Sequence, residues 1–382
     1  MDVSVIVPVY NSLAYLPAFF ESLAHALPMG SEVIIVDDAS TEPIKEVIPD
    51  IPAASDVTYL RNDRNLGNAG AVNRGFEVAR GDIVVQLNAD LVLDPKCITA
   101  LVDLISMSGP DVGIVGSKLI YPTSGLTQSV GMAFGLHSKR HVYRHLPSNH
   151  PLCTRTREVQ IVTGATVAMT RKVLGQIGPL DERLYNHNLD LDHCLRAKRQ
   201  GLRNFMCAES IAFHWRNRSG SIRYARVEAA EAAFWAKWSG QYVTDLGRFV
   251  EEAVLEALKA HPSLEDTPFT MVDLSRGADQ SIVTEAIARW WPDAADRAMS
   301  HPQMSNPSEN LWLPIVLPHW AASAPTPFIY LVDSHQELLE NAMWFQSRRQ
   351  VVSEELIVDA SATVLTSSEL FRMNGSPATV TQ

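Results

Sequence analysis

The sequence has few cysteines and no long apolar runs. Its four cysteines are Cys97, Cys153, Cys194 and Cys207. None of them forms the CxxC spacing of a zinc or redox site, so we interpret them as free thiols in a reducing compartment. No stretch reaches the roughly 18–20 apolar residues that a membrane-spanning helix needs. The start, MDVSVIVPVYN, lacks the basic region and cleavage site of a signal peptide. The sequence therefore predicts a cytoplasmic protein.

The chain also lacks an excess of positive charge. Its 382 residues include 32 Lys and Arg against 43 Asp and Glu, which gives a formal net charge of −11. A protein that binds nucleic acid by neutralising phosphates needs a basic surface, so this balance argues against that class. The composition is 46% hydrophobic and 20% charged, as is typical of a globular protein with a substantial core. The length favours two domains, or one large domain with an appendage.

Three apolar segments near the start each end in polar residues. They are 3–11 (VSVIVPVYN), 31–41 (SEVIIVDDAST) and 81–90 (GDIVVQLNAD). Such β-branched runs are typical of buried parallel strands. Segments with helical spacing follow, among them 12–27 with Ser12 as N-cap and 94–106 with Asp94 as N-cap. We therefore predict an α/β fold with a doubly wound, mostly parallel sheet, followed after about residue 245 by a smaller α/β or mainly helical region.

The polar ends of these strands are expected to lie at one edge of the sheet. Ligands of open α/β sheets bind at the carboxyl ends of the strands. Asp38 follows the second strand, and Asn88 and Asp90 follow the third at positions that point the same way in an extended chain. Carboxylate and amide oxygens bind Mg²⁺ and Mn²⁺. This edge therefore predicts a site for a nucleotide and a divalent cation, with helix capping by Asp38 and Asp90 as the alternative.

Further candidate ligands and acid–base groups lie later in the chain. His214 ends an extended run, and a neutral imidazole binds Mn²⁺-type ions well, although a hydrogen-bonded core residue is the alternative. Asp190 and Asp192 open a predicted helix, whose dipole favours carboxylates there, and Asp190 is also a candidate general base. Three arginines that suit a pyrophosphate, or else form a solvated basic loop, are Arg216, Arg218 and Arg223.

Two other groups have both functional and structural interpretations. Three histidines have the spacing of one helix face and are candidates for a zinc site or for a mobile acceptor-side or phosphate-facing loop: His137, His141 and His145. Three aromatic residues either line an acceptor groove or pack in the core: Trp235, Trp238 and Tyr242. In the C-terminal region, Asp273 and Asp333 end apolar runs, where helix capping is the favoured interpretation.

Taken in this order, the motifs resemble the inverting family 2 glycosyltransferases with the GT-A fold. The resemblance covers roughly residues 3–220. VSVIVPVYN and VDDAST are similar to the family's first two strands, and NLGNAGAVNRGF and ARGDIVVQLNADLVLDP to the run into its metal motif. VTGATVAMTRKVLGQIGPLDERLYNHNLDLDHCLRAKRQGL is similar to its acceptor-side block. Within the family, the sequence most resembles the rhamnosyltransferase-like branch.

The resemblance implies a role for each candidate site residue. Asp190 would be the general base, and Asp90 and His214 the metal ligands. The residues of the nucleotide and diphosphate site would be Pro8, Tyr10, Asn11, Asp38, Asn65, Asn73 and Asn88. Two positions depart from the family pattern. Leu189 stands where the family usually has Glu, and Asn88 where the metal motif usually has its first Asp.

The implied activity is transfer of a hexosyl or deoxyhexosyl group from a UDP- or dTDP-sugar to a hydroxyl acceptor, with Mn²⁺ or Mg²⁺. The displacement is single and inverting, and it serves polysaccharide or glycoconjugate biosynthesis. The implied domains are 1–244, with a nucleotide-sugar half (1–120) and an acceptor half (121–244), and 245–382, whose role is unassigned. The acceptor (a saccharide, a lipid-linked sugar or another hydroxyl), peripheral contact with the inner face of a membrane, and self-association stay open.

Two alternatives were weighed against this activity. A nucleotidyltransferase would need a Gly-rich, basic loop after the first strand to hold a triphosphate, and the loop here, PVYNSLAYL, has neither feature. A non-catalytic sugar- or partner-binding scaffold stays open because of Leu189 and Asn88.

Overall fold

The structure is a computed structural model, which describes residues 2–136, 138–215, 226–275, 279–296, 299–300, 313, 317 and 319–373. The chain forms two compact units, Met1–Met132 with Ser148–Tyr242 and Ala133–Pro147 with Val243–Gln382. The domain division at residue 244 stays a prediction. Nothing in the sequence indicated that 133–147 groups with the C-terminal unit.

The described strands are β1 (Val3–Val9), β2 (Ser31–Asp37), β3 (Ala54–Arg61), β4 (Ile83–Leu87), β5 (Leu91–Leu93), β6 (Val112–Ile120), β7 (Thr127–Ser129), β8 (Met132–Phe134), β9 (Lys139–His141), β10 (Arg157–Val159), β11 (Thr166–Thr170), β12 (Arg203–His214), β13 (Thr270–Asp273), β14 (Met299–Ser300), β15 (Phe328–Val332), β16 (Leu356–Asp359) and β17 (Val364–Thr366). The described α-helices are α1 (Leu16–Ala26), α2 (Gly67–Val78), α3 (Cys97–Met107), α4 (Arg171–Ile177), α5 (Leu189–Arg199), α6 (Val227–Trp238), α7 (Leu246–Ala260), α8 (Gln280–Ala288), α9 (Pro292–Asp296), α10 (Ala342–Arg348) and α11 (Ser367–Met373).

The first unit is built on a mixed, mostly parallel sheet. Its order is β10-β12-β6-β11-β4-β1-β2-β3, with β5 paired to β12 and β7 paired to β6. The strands β3, β2, β1 and β4 are parallel neighbours, in the order 3-2-1-4 of nucleotide-binding α/β folds. The antiparallel strand β11 then lies between β4 and β6. The predicted doubly wound, mostly parallel sheet is thus confirmed, with an antiparallel insertion.

Helices cover both faces of the parallel strands. Side chains of α1 and α3, such as Phe19 and Leu101, join Val5 and Val85 in one buried cluster. On the opposite face α2 lies very close to β1, because a Cβ added at Gly75 would meet Ile6 at 2.4 Å. Burial on both faces explains why β1 and β2 are nearly continuous apolar runs.

Two predicted N-caps were wrong, and several strands have boundaries that depend on their pairing. Ser12 does not cap α1, which begins four residues later after Tyr15 and has no side-chain cap. Asp94 accepts from the backbone N–H of Lys96 at 2.9 Å in a turn that precedes α3. β10 and β11 are separate strands, with 160–165 between them. The extended run that His214 ends is the strand β12, with a register shift between Cys207 and Ile211.

The second unit contains a smaller α/β fold, as predicted. Its sheet has the order β14-β13-β15-β16-β17, parallel except for β17. His141 ends the short strand β9 and His145 has a left-handed backbone with φ of 67°, so they do not share a helix face; His137 lies outside the described residues. Among the described helices, none is both long enough and apolar enough to cross a bilayer.

Candidate active site

A cleft of about 210 Å³ opens where β1, β2 and β4 end. Each strand places polar or backbone groups there, as expected at the carboxyl edge of a parallel sheet. Most of the predicted site residues line this cleft: Pro8, Tyr10, Asp38, Asn65, Asn88, Asp90, Asp190 and His214. Their positions extend from Pro8 to His214 in the chain, so the fold brings them together.

Asp38 anchors the loop that follows β3. One carboxylate oxygen accepts from Asn62 Nδ2 at 2.7 Å and from the backbone N–H of Leu66 at 2.8 Å, and the other accepts from Gly67 at 2.9 Å. Burial raises the pKa of the Asp38 carboxyl, although these donors lower it. Asp38 therefore shapes the cleft through its contacts with the start of α2, and it also lines the cavity.

Two residues predicted for the nucleotide site are not among the lining residues of the cleft. The Asn11 side chain accepts from the backbone N–H of Thr41 at 2.8 Å, which orders the loop after β2. Asn73 is buried and bonds both polar groups of the Leu180 backbone, at 2.8 and 2.9 Å. Neither side chain lines the cleft. Both instead stabilise segments that form its walls.

Asp90 and His214 meet because the turn after β4 and the end of β12 are paired. His214 lies opposite Leu91 in the antiparallel pairing of β12 with β5. This register sets His214 Nε2 at 3.2 Å from Asp90 Oδ1. Nε2 is buried and has no hydrogen-bond partner among the described residues.

Asp190 lies on the first turn of α5 and faces the cleft. Its Oδ2 accepts from the backbone N–H of Gly164 at 2.8 Å, and its Oδ1 accepts from Leu191 at 3.0 Å. The carbonyl of Gly164 in turn accepts from Gln86 Nε2 at 2.9 Å. These bonds fix the carboxylate at the cleft, the position that a general base requires.

The sequence of this region matches a known family. Residues 4–178 match the family described as Glycosyl transferase family 2. This part of the chain is a family 2 glycosyltransferase domain. The rhamnosyltransferase-like branch stays a prediction.

Known relatives match this chain over part of their own lengths. An undecaprenyl-phosphate 4-deoxy-4-formamido-L-arabinose transferase of Aeromonas hydrophila is 41% identical over 115 residues, which are 29% of this chain and 35% of that protein. The O-antigen biosynthesis protein RfbC of Myxococcus xanthus is 29% identical over 246 residues, 62% of this chain and 19% of the relative. The chain thus spans about a third or less of these relatives. A solved structure of GalNAc-T7 with UDP, GalNAc and Mn²⁺ is similar with a TM-score of 0.48 and 17% identity, over 65% of this chain and 51% of that one.

The first unit also has a buried charged cluster, two residues after Asp190 in the chain. Asp192 is fully buried and accepts from Trp238 Nε1 at 2.8 Å, from Arg196 Nε at 2.9 Å and from Lys237 Nζ at 2.5 Å. Asp192 therefore ties α5 to α6, and Trp238 belongs to the core rather than to an acceptor groove. Trp235 and Tyr242 pack edge to face with ring centroids 5.8 Å apart.

Sequence reasoning missed several residues that line the cleft or hold its walls. Gly164 and Asn186 line it from loops whose positions depend on long-range pairing. His193 lines it too, and burial lowers its pKa to about 3, so the ring is neutral. The local sequence could have indicated Gly164, in the segment VTGAT, because glycine permits close backbone approach. Leu189, the departure from the family pattern, lines the cleft and is buried. Arg216, Arg218 and Arg223 lie outside the described residues.

Proposed function

We propose that the chain is a metal-dependent, inverting glycosyltransferase. It moves a sugar from a nucleotide-diphosphate sugar to an acceptor in polysaccharide or glycoconjugate biosynthesis. The observation that carries this proposal is a single cleft. It is lined by Asp90 and His214, which the pairing of β5 with β12 brings together, and by Asp190 from α5. Membership of the first part of the chain in family 2 supports it.

The residues at Asp90 and His214 fit a divalent cation. A buried imidazole nitrogen without a hydrogen-bond partner among the described residues lies 3.2 Å from a carboxylate oxygen. That separation suits two neighbouring ligands of a six-coordinate ion with bonds of ~2.1 Å. In the described part of the chain no cluster of three or more His, Cys, Asp or Glu side chains is placed to hold a metal. The remaining ligands would therefore come from the diphosphate and water, as is usual for Mg²⁺.

The chain's own residues then perform a single displacement. Asp190 takes the proton of the acceptor hydroxyl while the hydroxyl oxygen forms a bond to the anomeric carbon. The bond from that carbon to the diphosphate oxygen breaks, and its electron pair leaves with the nucleoside diphosphate. Attack opposite the leaving group inverts the configuration. When bound at Asp90 and His214, a divalent cation stabilises the charge that develops on the diphosphate.

The rate loss expected on removal of the Asp190 carboxylate depends on the acceptor. The name of the Aeromonas relative describes a transferase for undecaprenyl phosphate, and an ionised phosphate oxygen attacks without a base. A hydroxyl acceptor needs one, and removing a general base costs about 10²- to 10⁴-fold in rate. The fixed position of Asp190 at the cleft favours the hydroxyl. We also propose that the protein is cytoplasmic and contacts the inner face of a membrane. The similarity to an undecaprenyl-phosphate transferase supports the membrane contact.

The test is a donor screen with the whole chain. Thermal stability and donor hydrolysis are measured with UDP-, dTDP- and GDP-sugars, with Mn²⁺ or Mg²⁺, for the wild type, Asp90→Ala and Asp190→Asn. Asp103→Asn, a carboxylate change at an exposed position on α3, is the matched control. We expect one nucleotide to stabilise the wild type with metal, and Asp90→Ala to lose the effect of the metal. Asp190→Asn should bind the donor but turn it over about 10²- to 10⁴-fold more slowly.

Two other results would change the conclusion. Full transfer by Asp190→Asn to a polyprenyl phosphate would identify a phosphate acceptor. If no nucleotide sugar binds with either metal, the protein is the non-catalytic scaffold that Leu189 and Asn88 left open.

A further inference from the structure

Gln128, on β7, contacts His214 twice from behind the cleft. Its Nε2 donates to the backbone carbonyl of His214 at 3.0 Å, and its Oε1 lies 2.6 Å from His214 Nδ1. Both residues are buried, with 3% and 7% of their surface exposed, so water does not compete for these groups. β6 is the shared neighbour that brings the two strands together, since it pairs with β7 and with β12.

The first contact fixes the orientation of the Gln128 amide, and this orientation fixes which ring nitrogen of His214 carries a proton. A peptide carbonyl only accepts hydrogen bonds, so the NH₂ group of the Gln128 amide must face the carbonyl of His214. The amide oxygen then faces Nδ1, and because that oxygen also only accepts, Nδ1 must carry a proton. In a neutral ring the proton is then absent from Nε2, which lies 3.2 Å from Asp90 Oδ1.

We propose that Gln128 is a positioning residue for the metal site, which fixes the tautomer and orientation of His214 so that Nε2 is a ready ligand. This inference rests on the proposed function, because it concerns the divalent cation at Asp90 and His214. A residue that orients a ligating histidine through its other ring nitrogen commonly contributes about 10- to 100-fold to metal affinity. Nothing local in the segment LTQSVGM marks Gln128, since its partner lies 86 residues away.

The first measurement needs no metal. In protein labelled with ¹⁵N-histidine, long-range ¹H–¹⁵N spectra distinguish the two tautomers, and the His214→Gln variant assigns the signal. We expect His214 to carry its proton on Nδ1 in the wild type. The Nε2–H tautomer would overturn the inference. This measurement also keeps the proposal testable if a Gln128 variant fails to fold.

The second measurement is Mn²⁺ affinity by electron paramagnetic resonance, with UDP, dTDP or GDP present. Gln128→Leu should weaken Mn²⁺ binding about 10- to 100-fold. Gln128→Glu should keep more of the affinity than Gln128→Leu, because a carboxylate still accepts from Nδ1–H, although it no longer donates to the carbonyl of His214. Gln160→Leu removes another buried amide, on a residue with 5% exposure, and is the control for packing.

The outcomes separate this inference from the function on which it rests. If the wild type binds Mn²⁺, Asp90→Ala loses it and Gln128→Leu keeps it, Gln128 has no positioning role although the metal site stands. Equal losses for Gln128→Leu and Gln160→Leu would also overturn the inference. If the wild type binds no Mn²⁺ with any of the three nucleotides, the metal dependence of the proposed function is wrong and the role of Gln128 falls with it.

Discussion

At the scale of single residues, one wall of the cleft depends on a close contact at the start of α2. Gly67 has φ of 79° and donates to Asp38, and Tyr185 has φ of 55°. The Tyr185 hydroxyl donates to Asn65, and its carbonyl accepts from Ala69 at 3.0 Å. A bulky residue keeps a positive φ only where its surroundings determine it. The loop before α5 is therefore packed firmly onto the start of α2.

Replacing Gly67 by alanine should both destabilise the protein and weaken donor binding. The new Cβ would lie 2.4 Å from the Tyr185 ring. Gly30→Ala is the matched control, because Gly30 has φ of 81° but no described atom within 4 Å of an added Cβ. We expect Gly30→Ala to cost about 1 kcal/mol of unfolding free energy from backbone strain, and Gly67→Ala to cost a further ~1–3 kcal/mol from overpacking. Urea titration and donor binding measure both effects. Equal losses in the two variants would show that the Tyr185 contact is unimportant.

At the scale of elements, a buried ion pair organises the second unit. Arg348, at the end of α10, is fully buried and pairs with Glu355 just before β16, with Nε to Oε1 at 2.9 Å. Its other nitrogens donate to three carbonyls of the segment before β15: Ala321, Ala324 and Thr326. One guanidinium thus satisfies backbone groups that would otherwise be buried without partners.

Removing the cation from this pair should be strongly destabilising. Burial raises the pKa of Glu355, and Arg348 is the largest influence that lowers it. Arg348→Met therefore leaves an uncompensated buried carboxylate, at a cost of about 3–5 kcal/mol. When a carboxyl group has a higher pKa in the folded protein than in the unfolded chain, it contributes stability at pH values below the unfolded pKa. That stability is lost as the pH rises through the folded pKa. Urea titrations should thus show a larger loss for Arg348→Met at pH 8 than at pH 5. A pH-independent loss would mean that the backbone contacts, and not the charge, dominate.

How much of these elements could be predicted from sequence depends on how local their causes are. The runs of β1, β2 and β4 are apolar because helices cover both faces, so periodicity and composition located them and placed Asp38, Asn88 and Asp90 at their ends. The antiparallel position of β11 and the contact between His214 and Asp90 depend on pairings between distant segments. Gln128 lies in a segment without periodicity, and its role is visible only in three dimensions.

At the scale of the whole molecule, the second unit includes a segment from the middle of the chain. Within 133–147, the backbone N–H of Phe134 donates to Asp245 at 2.9 Å, and the Tyr143 hydroxyl donates to the carbonyl of Phe249, on α7, at 3.0 Å. The backbone N–H of Tyr143 donates to Ser361 at 2.7 Å. Tyr143 and Phe134 are fully buried. These partners all lie after residue 242, so the segment depends on them for its burial.

A chain that ends at residue 244 should therefore be less soluble than one that also lacks this segment. The simple truncation exposes Phe134 and Tyr143, whose partners are removed, and exposed apolar patches promote aggregation. Replacing 133–147 in the truncated chain by a flexible Gly/Ser linker removes both aromatic side chains and should restore a monodisperse protein. Size-exclusion chromatography and binding of a hydrophobic dye compare the two. If the simple truncation is monodisperse and binds no more dye than the linker form, then 133–147 folds without the C-terminal residues, and the boundary predicted at residue 244 is also a boundary of folding.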